Sequence, residues 1–473
     1  MNTILWWIRR DLRLTDNQTL FQATQQADNV LPLFILDPHL INSQYVGKKR
    51  LDFLYAGLHQ IDHDLREVGS QLFLREGQPM RVLQEIQAEI EFDAIYAEED
   101  YSPYARQRDA AVEKIFTLEF FGGPTFRHPM AIRKADGSPY TVFTPFSRAW
   151  KALPFPIKKD VLDKPKQIQT RRDLKSLPVP PLPPSVSNSI FLAGEVEAQR
   201  RLNAFLAGDE PGLYQYKDQR DRMDLEGTSL LSPYLRFGML SAKQAFAAGS
   251  EMFTSATTET EREGAETWLN ELIWREFFQS ILFHFPYVRE KSFRENLRNI
   301  QWENDPAEFE AWCNGKTGYP IVDAAMRQLL ETGWMHNRAR MIVASFLVKD
   351  LLIDWRWGEK WFMQHLIDGD LGANNGGWQW SAGTGTDAAP YFRIFNPILQ
   401  GQKFDPHGHY VHRWVPELSG VPDKFLQKPW EMPEDIQKEA TCILGENYPF
   451  PIIDHAYARE RTLERYKSAR EAT

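Results

Sequence analysis

The sequence predicts two kinds of structure in one chain, a doubly wound parallel α/β domain followed, after a long linker, by an all-helical domain. Short apolar runs rich in β-forming residues alternate with helix-length segments before residue 130. A proline-rich stretch comes next, and beyond residue 195 the apolar residues keep helical spacing with few strand signals. We therefore predict an α/β domain at 1–130, a linker at 131–195 and a helical domain at 196–473.

The predicted strands are four apolar runs that end at polar or charged residues, at 3–8, 31–36, 70–74 and 93–97. Residues 49–68 and 80–90 lie between them and have the length and spacing of helices. This alternation favours a parallel sheet with helices on both faces. No Gly-x-Gly-x-x-Gly fingerprint follows the first strand, which argues against an ordinary dinucleotide site there.

The linker is predicted from closely spaced prolines, which prevent a helix and favour an extended connector. These prolines are Pro178, Pro180, Pro181, Pro183 and Pro184. Helical apolar spacing predicts the helices of the second domain. They are expected at 196–206, 241–253, 262–284, 306–313, 320–332, 335–353 and 357–366.

Composition limits the class of function. The 473-residue chain has a net charge of −9, and Cys313 and Cys442 are too few for a disulfide framework or a cysteine metal cluster. No membrane-length apolar run or secretory signal is recognisable, so we expect a cytoplasmic protein without a membrane partner. The negative charge argues mildly against nucleic acid, although a local Arg and Lys cluster can still bind phosphates. Of the 15 tryptophans, 12 lie beyond residue 260, more than packing normally demands.

The segment around residue 337 combines an amide, a thioether and cations. Asn337 and Met341 stand four residues apart and share a helix face, with Arg338 and Arg340 beside them. This combination suits a flat, polar-edged, anionic ligand. A core helix whose arginines pair with acids elsewhere is an equally good interpretation of the segment alone.

A second segment places Trp268, Glu271 and Trp274 at intervals of three, with Arg275 four residues after the glutamate. Indoles can stack on bases or flavin rings, and a half-buried glutamate can hydrogen-bond a carbonyl group. The alternative is a tryptophan stripe that only packs in a core, although such stripes rarely have a glutamate at their centre.

Two further segments are rich in small and polar residues. The Gly and Asn content of residues 368–380 predicts backbone bent around something, and its Asp-x-Asp pair lacks further metal ligands, so we predict no metal. Residues 226–235 place hydroxyl and backbone N–H groups ahead of a helix, where they can bind phosphate oxygens. A simple helix cap is the alternative for that segment.

Together these segments resemble the photolyase and cryptochrome family. The resemblance is carried, in order, by Arg10-Asp-Leu-Arg-Leu-x-Asp-Asn, Gly227-Thr-Ser-x-Leu-Ser-Pro-Tyr-Leu, Lys316-Thr-Gly-Tyr-Pro-Ile-Val-Asp, Gly333-Trp-Met-His-Asn-Arg and Asp368-Gly-Asp-Leu-Gly-Ala-Asn-Asn-Gly-Gly-Trp-Gln-Trp. The resemblance covers nearly the whole chain. Within the family, the sequence most resembles the class I enzymes for cyclobutane pyrimidine dimers. It implies an N-terminal antenna domain, a linker and a helical FAD domain.

The resemblance implies FAD, reduced and anionic when active, with Asn374 beside flavin N5 and Asp368 paired with Arg340. The residues that would line FAD are Tyr216, Thr228, Ser229, Leu230, Leu231, Ser232, Trp268, Arg275, Arg340, Asp368, Gly369, Asp370 and Asn374. The hydroxyl-bearing turn would lie on the FAD pyrophosphate.

The implied substrate is ultraviolet-damaged DNA whose pyrimidine dimer is flipped out of the duplex. The residues that would act in catalysis are Glu271, Asn337, Met341, Asn374 and Trp380. Those that would contact DNA are Arg220, Glu271, Trp274, Asn337, Arg338, Trp380, Arg393 and Lys403. Those that would return electrons to an oxidised flavin are Trp302, Trp355 and Trp378.

An antenna chromophore is also implied. Folate-binding relatives use an Asn-Glu pair where this sequence has Tyr104-Ala105, so a deazaflavin or FMN is favoured over methenyltetrahydrofolate. We expect a monomer without an obligate protein partner. The alternative functions are a cryptochrome-type blue-light receptor and a flavin electron-transfer protein that never meets DNA.

Overall fold

The structure, a computed structural model, describes residues 2–182 and 189–471. The predicted linker prolines Pro183 and Pro184 lie outside the described residues. Internal contacts divide the chain into two compact units. The first is Met1–Lys217, Ser229–Pro286 and Ile367–Gly372, and the second is Asp218–Thr228, Tyr287–Leu366 and Ala373–Thr473. The boundaries of the antenna, linker and FAD domains stay a prediction.

Within residues 2–182 a five-stranded, fully parallel sheet forms, as the sequence predicts, with strand order β3-β2-β1-β4-β5. The strands are β1 Thr3–Ile8, β2 Asn29–Leu36, β3 Phe73–Glu76, β4 Ala94–Ala97 and β5 Leu118–Phe120. The predicted runs match β1, β2 and β4 within two residues, and the run for β3 begins three residues early. The prediction misses β5, whose side chains are half-buried or exposed and give no apolar run.

Helices make up most of the remaining chain. They are α1 Gln18–Gln26, α2 Pro38–Ile41, α3 Lys48–Glu67, α4 Pro79–Glu89, α5 Pro103–Val112, α6 Phe143–Lys151, α7 Glu195–Leu206, α8 Gly212–Gln219, α9 Ser232–Phe237, α10 Ala242–Ser255, α11 Glu259–His284, α12 Pro306–Cys313, α13 Pro320–Thr332, α14 Asn337–Ser345, α15 Trp355–His365, α16 Leu371–Ala382, α17 Pro397–Phe404, α18 His409–Trp414, α19 Asp423–Leu426, α20 Glu434–Glu439 and α21 His455–Glu471. Short 3₁₀ turns lie at Pro129–Ala131, Lys158–Asp160, Pro286–Arg289, Glu295–Leu297, Pro416–Leu418 and Pro429–Glu431.

Each unit has its own apolar core. In the first, Leu5, Trp7 and Leu33 of the sheet pack with Leu83 of α4, and all six residues of β1 are buried, as a parallel sheet covered on both faces requires. In the second, the core is built largely from α13 to α16 and includes the fully buried Trp312.

The second unit confirms the predicted helices at 306–313 and 320–332, but it shortens the helix predicted at 335–353. The Nδ1 atom of His336 accepts a hydrogen bond of 3.1 Å from the backbone N–H of Arg338, which caps α14, so the helix begins at residue 337. A π-helical turn, Phe346–Asp350, then continues it.

The bent backbone predicted for residues 368–380 is wrong beyond residue 370, because α16 begins at Leu371. One of the small residues, Gly372, serves close packing instead. A Cβ atom on Gly372 would lie 3.1 Å from Gln279 Nε2 in the first unit. In the second unit Asn375 and Gln379 donate from their side chains to the carbonyl oxygen of Val288, at 3.0 and 2.8 Å.

Gly238, which ends α9, gives a test of packing in the first unit. Its φ is +66°, and an added Cβ would lie 1.7 Å from the backbone oxygen of Arg10. We expect Gly238→Ala to lower the free energy of unfolding by about 2–4 kcal/mol, from positive-φ strain plus the clash. Gly137→Ala, with φ +81° and nothing within 4 Å of the added atom, should cost only about 1 kcal/mol. Equal losses in urea titrations of the two variants would contradict this packing.

Candidate functional site

Residues 368–370, predicted to lie beside the flavin, form a buried loop of the first unit. The Asp370 carboxylate accepts hydrogen bonds of 2.6 Å from Arg10 Nη2 and 2.6 Å from Gln279 Nε2. Arg236 Nε donates to the carbonyl oxygen of the loop glycine at 2.8 Å. No local sequence pattern predicts these three partners, because each lies at least 91 residues from the group that accepts its hydrogen bond.

The same loop is surrounded by guanidinium groups. A Cβ on Gly369 would lie 2.5 Å from Arg50 Nη2, so this side chain packs directly on the loop. Burial and the neighbouring Arg10 lower the pKa of Arg236 to about 9. Burial alone would lower the pKa of Arg10, but Asp370 and Asp100 more than offset it and raise that pKa. The neighbouring charges of opposite sign thus offset the cost of removing each other from water.

The hydroxyl-bearing turn at 228–232 brings predicted FAD residues together. Leu230 has φ +52°, a left-handed conformation that is rare for leucine and is typical of strained ligand-binding segments. Trp268 Nε1 donates to Ser229 Oγ at 3.4 Å. Leu231 is buried and Ser232, the first residue of α9, is exposed. A hydroxyl-bearing turn of this kind fits a dinucleotide pyrophosphate. Thr228 belongs to the second unit.

The α11 residues predicted to contact the lesion, Glu271 and Trp274, are half-buried in the first unit. The Trp274 indole stacks on Phe143, with ring centroids 3.6 Å apart and ring planes 5° apart. This partner comes from α6, in the region that the sequence assigns to the linker. Tyr216, a predicted FAD residue, packs edge to face against Phe205, with ring centroids 6.1 Å apart.

Two adjacent charged residues of α11 bind other parts of the first unit. Arg275, predicted to line FAD, donates to the backbone oxygens of Pro124 at 2.6 Å and Leu235 at 3.1 Å. Glu276 accepts hydrogen bonds of 2.5 Å from Trp150 Nε1 and from the backbone N–H at position 126. Burial raises the pKa of Glu276 to about 7, although these donors act in the opposite direction. No sequence pattern indicates the role of Glu276, because its partners are more than a hundred residues away.

In the second unit α14 brings two predicted site residues together. Asn337 Nδ2 lies 3.9 Å from Met341 Sδ, as the spacing of four predicts. Arg338 binds Asp221 through Nη2 at 2.7 Å and Nε at 3.2 Å, and its Cζ lies 4.3 Å from the ring centroid of Phe404. The alternative in which an arginine of this helix pairs with an acid therefore holds for Arg338.

Arg340 donates from Nε to the carbonyl oxygen of Met335 at 2.8 Å in the second unit. Its predicted partner Asp368 belongs to the first unit, and the ion pair stays a prediction. Four other residues are predicted to contact DNA. Arg220 and Trp380 are half-buried, and Arg393 and Lys403 are exposed.

Asn374 on α16 is held in one orientation. Its Nδ2 donates to both the backbone oxygen and Oε1 of Glu359, at 3.0 Å each. Because both partners are acceptors, the amide nitrogen must face Glu359, and Oδ1 is left as the acceptor end. A reduced flavin carries hydrogen on N5, so an acceptor at the predicted position fits the reduced form.

The three predicted relay tryptophans differ in burial. Trp378 and Trp355 are each 2% exposed in the core of the second unit, and Trp302 is half-buried. The Trp378 ring lies 5.0 Å from that of Phe362, and its Nε1 has no hydrogen-bond partner among the described residues. Two of the three tryptophans therefore lie in the core and the third lies nearer the surface, as a relay between core and surface needs.

A second candidate site lies at the carboxyl edge of the sheet, where the strand order changes direction between β1 and β4. Arg9 Nη1 binds Asp109 at 2.6 Å, while Nε and Nη2 of Arg9 are buried without a hydrogen-bond partner among the described residues. Tyr104 stacks on His39, with ring centroids 4.2 Å apart, and its hydroxyl donates to Asp37. Unpaired buried donors beside stacked aromatic rings fit a flat, polar-edged ligand.

Two features are absent from residues 2–182 and 189–471. No group of three or more His, Cys, Asp or Glu side chains there could hold a metal ion. No helix in those ranges combines the length and the apolarity needed to cross a membrane.

The Arg10–Asp370 pair provides a test of how the loop at 368–370 is held. Arg10→Met should leave the buried carboxylate without its cation, which costs about 3–5 kcal/mol of unfolding free energy, and should reduce the FAD retained on purification. Arg66→Met is the control, because the Arg66–Asp62 pair lies on the surface with Arg66 61% exposed and should contribute less than about 1 kcal/mol. If urea unfolding gives similar small losses for both, Arg10 does not hold the loop.

Sequence profiles of two domains match the chain. Residues 4–166 match a profile described as DNA photolyase, and residues 268–468 match the FAD binding domain of DNA photolyase. A deoxyribodipyrimidine photo-lyase of Synechococcus sp. is 40% identical over 96% of this chain and 94% of the relative. The enzyme of that name from Escherichia coli is 39% identical over 99% of each.

Solved structures agree in fold. A bacterial class III photolyase from Agrobacterium tumefaciens has a TM-score of 0.92 and 38% identity, over 100% of this chain and 98% of its own. An archaeal photolyase from Sulfolobus tokodaii with two FAD molecules has a TM-score of 0.81 and 31% identity, over 98% and 100%. A Synechocystis cryptochrome has a TM-score of 0.87 and 29% identity, over 98% and 99%. The class I assignment stays a prediction, but near-complete coverage by such relatives shows that this chain belongs to the DNA photolyase family.

Proposed function

We propose that this chain is a light-driven repair enzyme that uses reduced FAD to split cyclobutane pyrimidine dimers in DNA. The observation that carries the proposal is the fixed amide of Asn374, whose Nδ2 donates to Glu359, so that Oδ1 would be the end that accepts a hydrogen bond from N5 of a reduced flavin. Membership of the family, with its FAD-binding domain, supports the same cofactor. A cryptochrome-type light receptor is the second candidate, because one similar structure is a cryptochrome.

FAD would be held by the hydroxyl-bearing turn at 228–232, by Trp268 and by the loop at 368–370, and when bound it supplies light-driven one-electron chemistry. Leu230 gives the turn a left-handed residue, and the hydrogen bond from Trp268 orients Ser229. Arg10 and Gln279 hold Asp370, so that the loop is preorganised before the cofactor arrives.

The lesion would be held by aromatic and polar side chains. Trp274, supported from behind by Phe143, and Trp380 offer apolar surfaces to the extruded dimer. Asn337 and Met341 form one polar and polarisable contact surface on α14. In its protonated form Glu271 would donate to a pyrimidine carbonyl oxygen and so stabilise negative charge as it develops there.

The reaction needs no net oxidation or reduction. The dimer takes up one electron, its two cyclobutane carbon–carbon bonds break, and the electron returns to the donor. The buried Trp378 and Trp355 and the half-buried Trp302 would restore an electron lost from the site. Arg220, Arg338, Arg393 and Lys403 would bind DNA phosphates, which accounts for DNA binding by a chain of net charge −9.

The proposal is tested by anaerobic, illuminated repair of a thymine-dimer oligonucleotide with the FAD-loaded, fully reduced protein. We expect Glu271→Ala to retain FAD but to repair roughly threefold to tenfold less efficiently, because one hydrogen bond to the charged lesion is lost. Glu266→Ala on the same helix, with its side chain 52% exposed, is the control and should repair normally.

Two results would overturn the proposal. Reduced, illuminated protein that leaves linked thymines intact would favour the light receptor. Failure to bind either damaged or intact oligonucleotides would favour an electron-transfer flavoprotein that never meets DNA.

We also propose that the carboxyl edge of the sheet binds an antenna chromophore, with a deazaflavin or FMN favoured over a folate. The unpaired donors of Arg9 and the stacked rings of Tyr104 and His39 support a planar ligand with polar edges. The structure of the Sulfolobus tokodaii relative contains two FAD molecules and is described as implying a novel light-harvesting cofactor, which supports a flavin at a second site.

Reconstitution tests the antenna proposal. Protein that already holds FAD should take up about one further equivalent of FMN or of a deazaflavin, with a new visible absorption band, and less methenyltetrahydrofolate. Arg9→Met should lose this second chromophore while FAD is retained, whereas Arg133→Met, at an exposed position, should lose neither. Preferential uptake of the folate would contradict the proposal.

A further inference from the structure

Arg338, one of the cations proposed to bind DNA phosphates, already has an anionic partner in the second unit. Its Nη2 and Nε donors face the two carboxylate oxygens of Asp221, at 2.7 and 3.2 Å. The Arg338 side chain is 15% exposed and that of Asp221 is 33% exposed, so the pair lies at the surface but is partly shielded from water.

Packing keeps the guanidinium in this place. Arg338 Cζ lies 4.3 Å from the ring centroid of Phe404, and Phe404 belongs to the core of the second unit. The Nζ atom of Lys403, another proposed phosphate contact, lies 5.1 Å from the same ring centroid. Two cations of the proposed DNA surface therefore lie near one aromatic ring, and Asp221 binds one of them.

A carboxylate and a phosphate both fit the planar donor fork of arginine. A DNA phosphate that binds Arg338 must therefore displace Asp221 from Nη2 and Nε or bind beside its negative charge. Either course weakens the contact, because the charge that the phosphate meets is partly neutralised. Since phosphate contacts carry no information about the bases, the weakening applies to damaged and intact DNA alike.

We propose that Asp221 is an internal competitor of DNA phosphate at Arg338 and thereby limits the affinity of the protein for the DNA backbone. This inference rests on the proposed function, because it needs DNA binding through Arg338. It makes Asp221 an affinity-setting residue that touches neither the lesion nor FAD. Its chemical effect is to reduce the share of the binding free energy that comes from contacts with the backbone.

The test is the equilibrium affinity of FAD-loaded protein for matched intact and thymine-dimer duplexes over a range of salt concentrations. We expect Asp221→Asn, which keeps an oxygen acceptor but removes the charge, to bind both duplexes about twofold to fivefold more tightly. The log–log salt dependence should steepen by up to about 0.9, the value for one additional effective phosphate contact.

Two comparisons isolate the effect. Asp218→Asn removes one exposed charge from the same short segment and should change affinity less. In an Arg338→Ala background, Asp221→Asn should lose its effect, because the competition requires Arg338. If Asp221→Asn does not fold, Asp221→Ser serves as the second charge-removing variant.

The outcomes separate the inference from the proposed function. Wild-type protein that repairs dimers, with Asp221→Asn no tighter than Asp218→Asn, would overturn the inference alone. Weaker binding by Asp221→Asn would also overturn it, because Asp221 would then orient Arg338 toward the phosphate. Wild-type protein that binds no DNA would overturn both the inference and the proposed function.

Discussion

The buried carboxylate of Asp370 is the constraint on which much of the first unit depends. A carboxylate removed from water costs several kcal/mol unless it is paired and hydrogen-bonded, and here Arg10 and Gln279 meet that requirement. The chain just after β1, the middle of α11 and the loop before α16 must therefore come together for the unit to fold. The same requirement fixes the backbone of the loop that is proposed to meet FAD.

The sequence predicted features that depend on local spacing and missed those that depend on distant partners. Runs of apolar residues located β1 and β2, and a spacing of four brought Asn337 beside Met341. The short strand β5 gave no signal, because its side chains are only partly buried. The glycines of α16 indicated a bend, but they lie in a helix, and Gly372 is packed closely against Gln279.

The site itself divides in the same way. Residue types and motifs supplied the candidates, but no pattern shows that both amide hydrogens of Asn374 are held by Glu359, or that Phe143 covers Trp274. Nor does the net charge of −9 say how its charges are distributed. The ion pair of Arg338 with Asp221 illustrates this. The sequence predicts that Arg338 contacts a DNA phosphate, but in the fold its charge is partly neutralised.

The parallel stack of Phe143 on Trp274 sets a limit on how this indole can take part in recognition. An indole has two π-faces, and a ring at a centroid distance of 3.6 Å occupies one of them. An incoming pyrimidine can therefore stack on one side only, and Trp274 cannot insert between two successive bases as an intercalating wedge. The phenyl ring also keeps the indole from tilting, so that the surface it offers is rigid and flat.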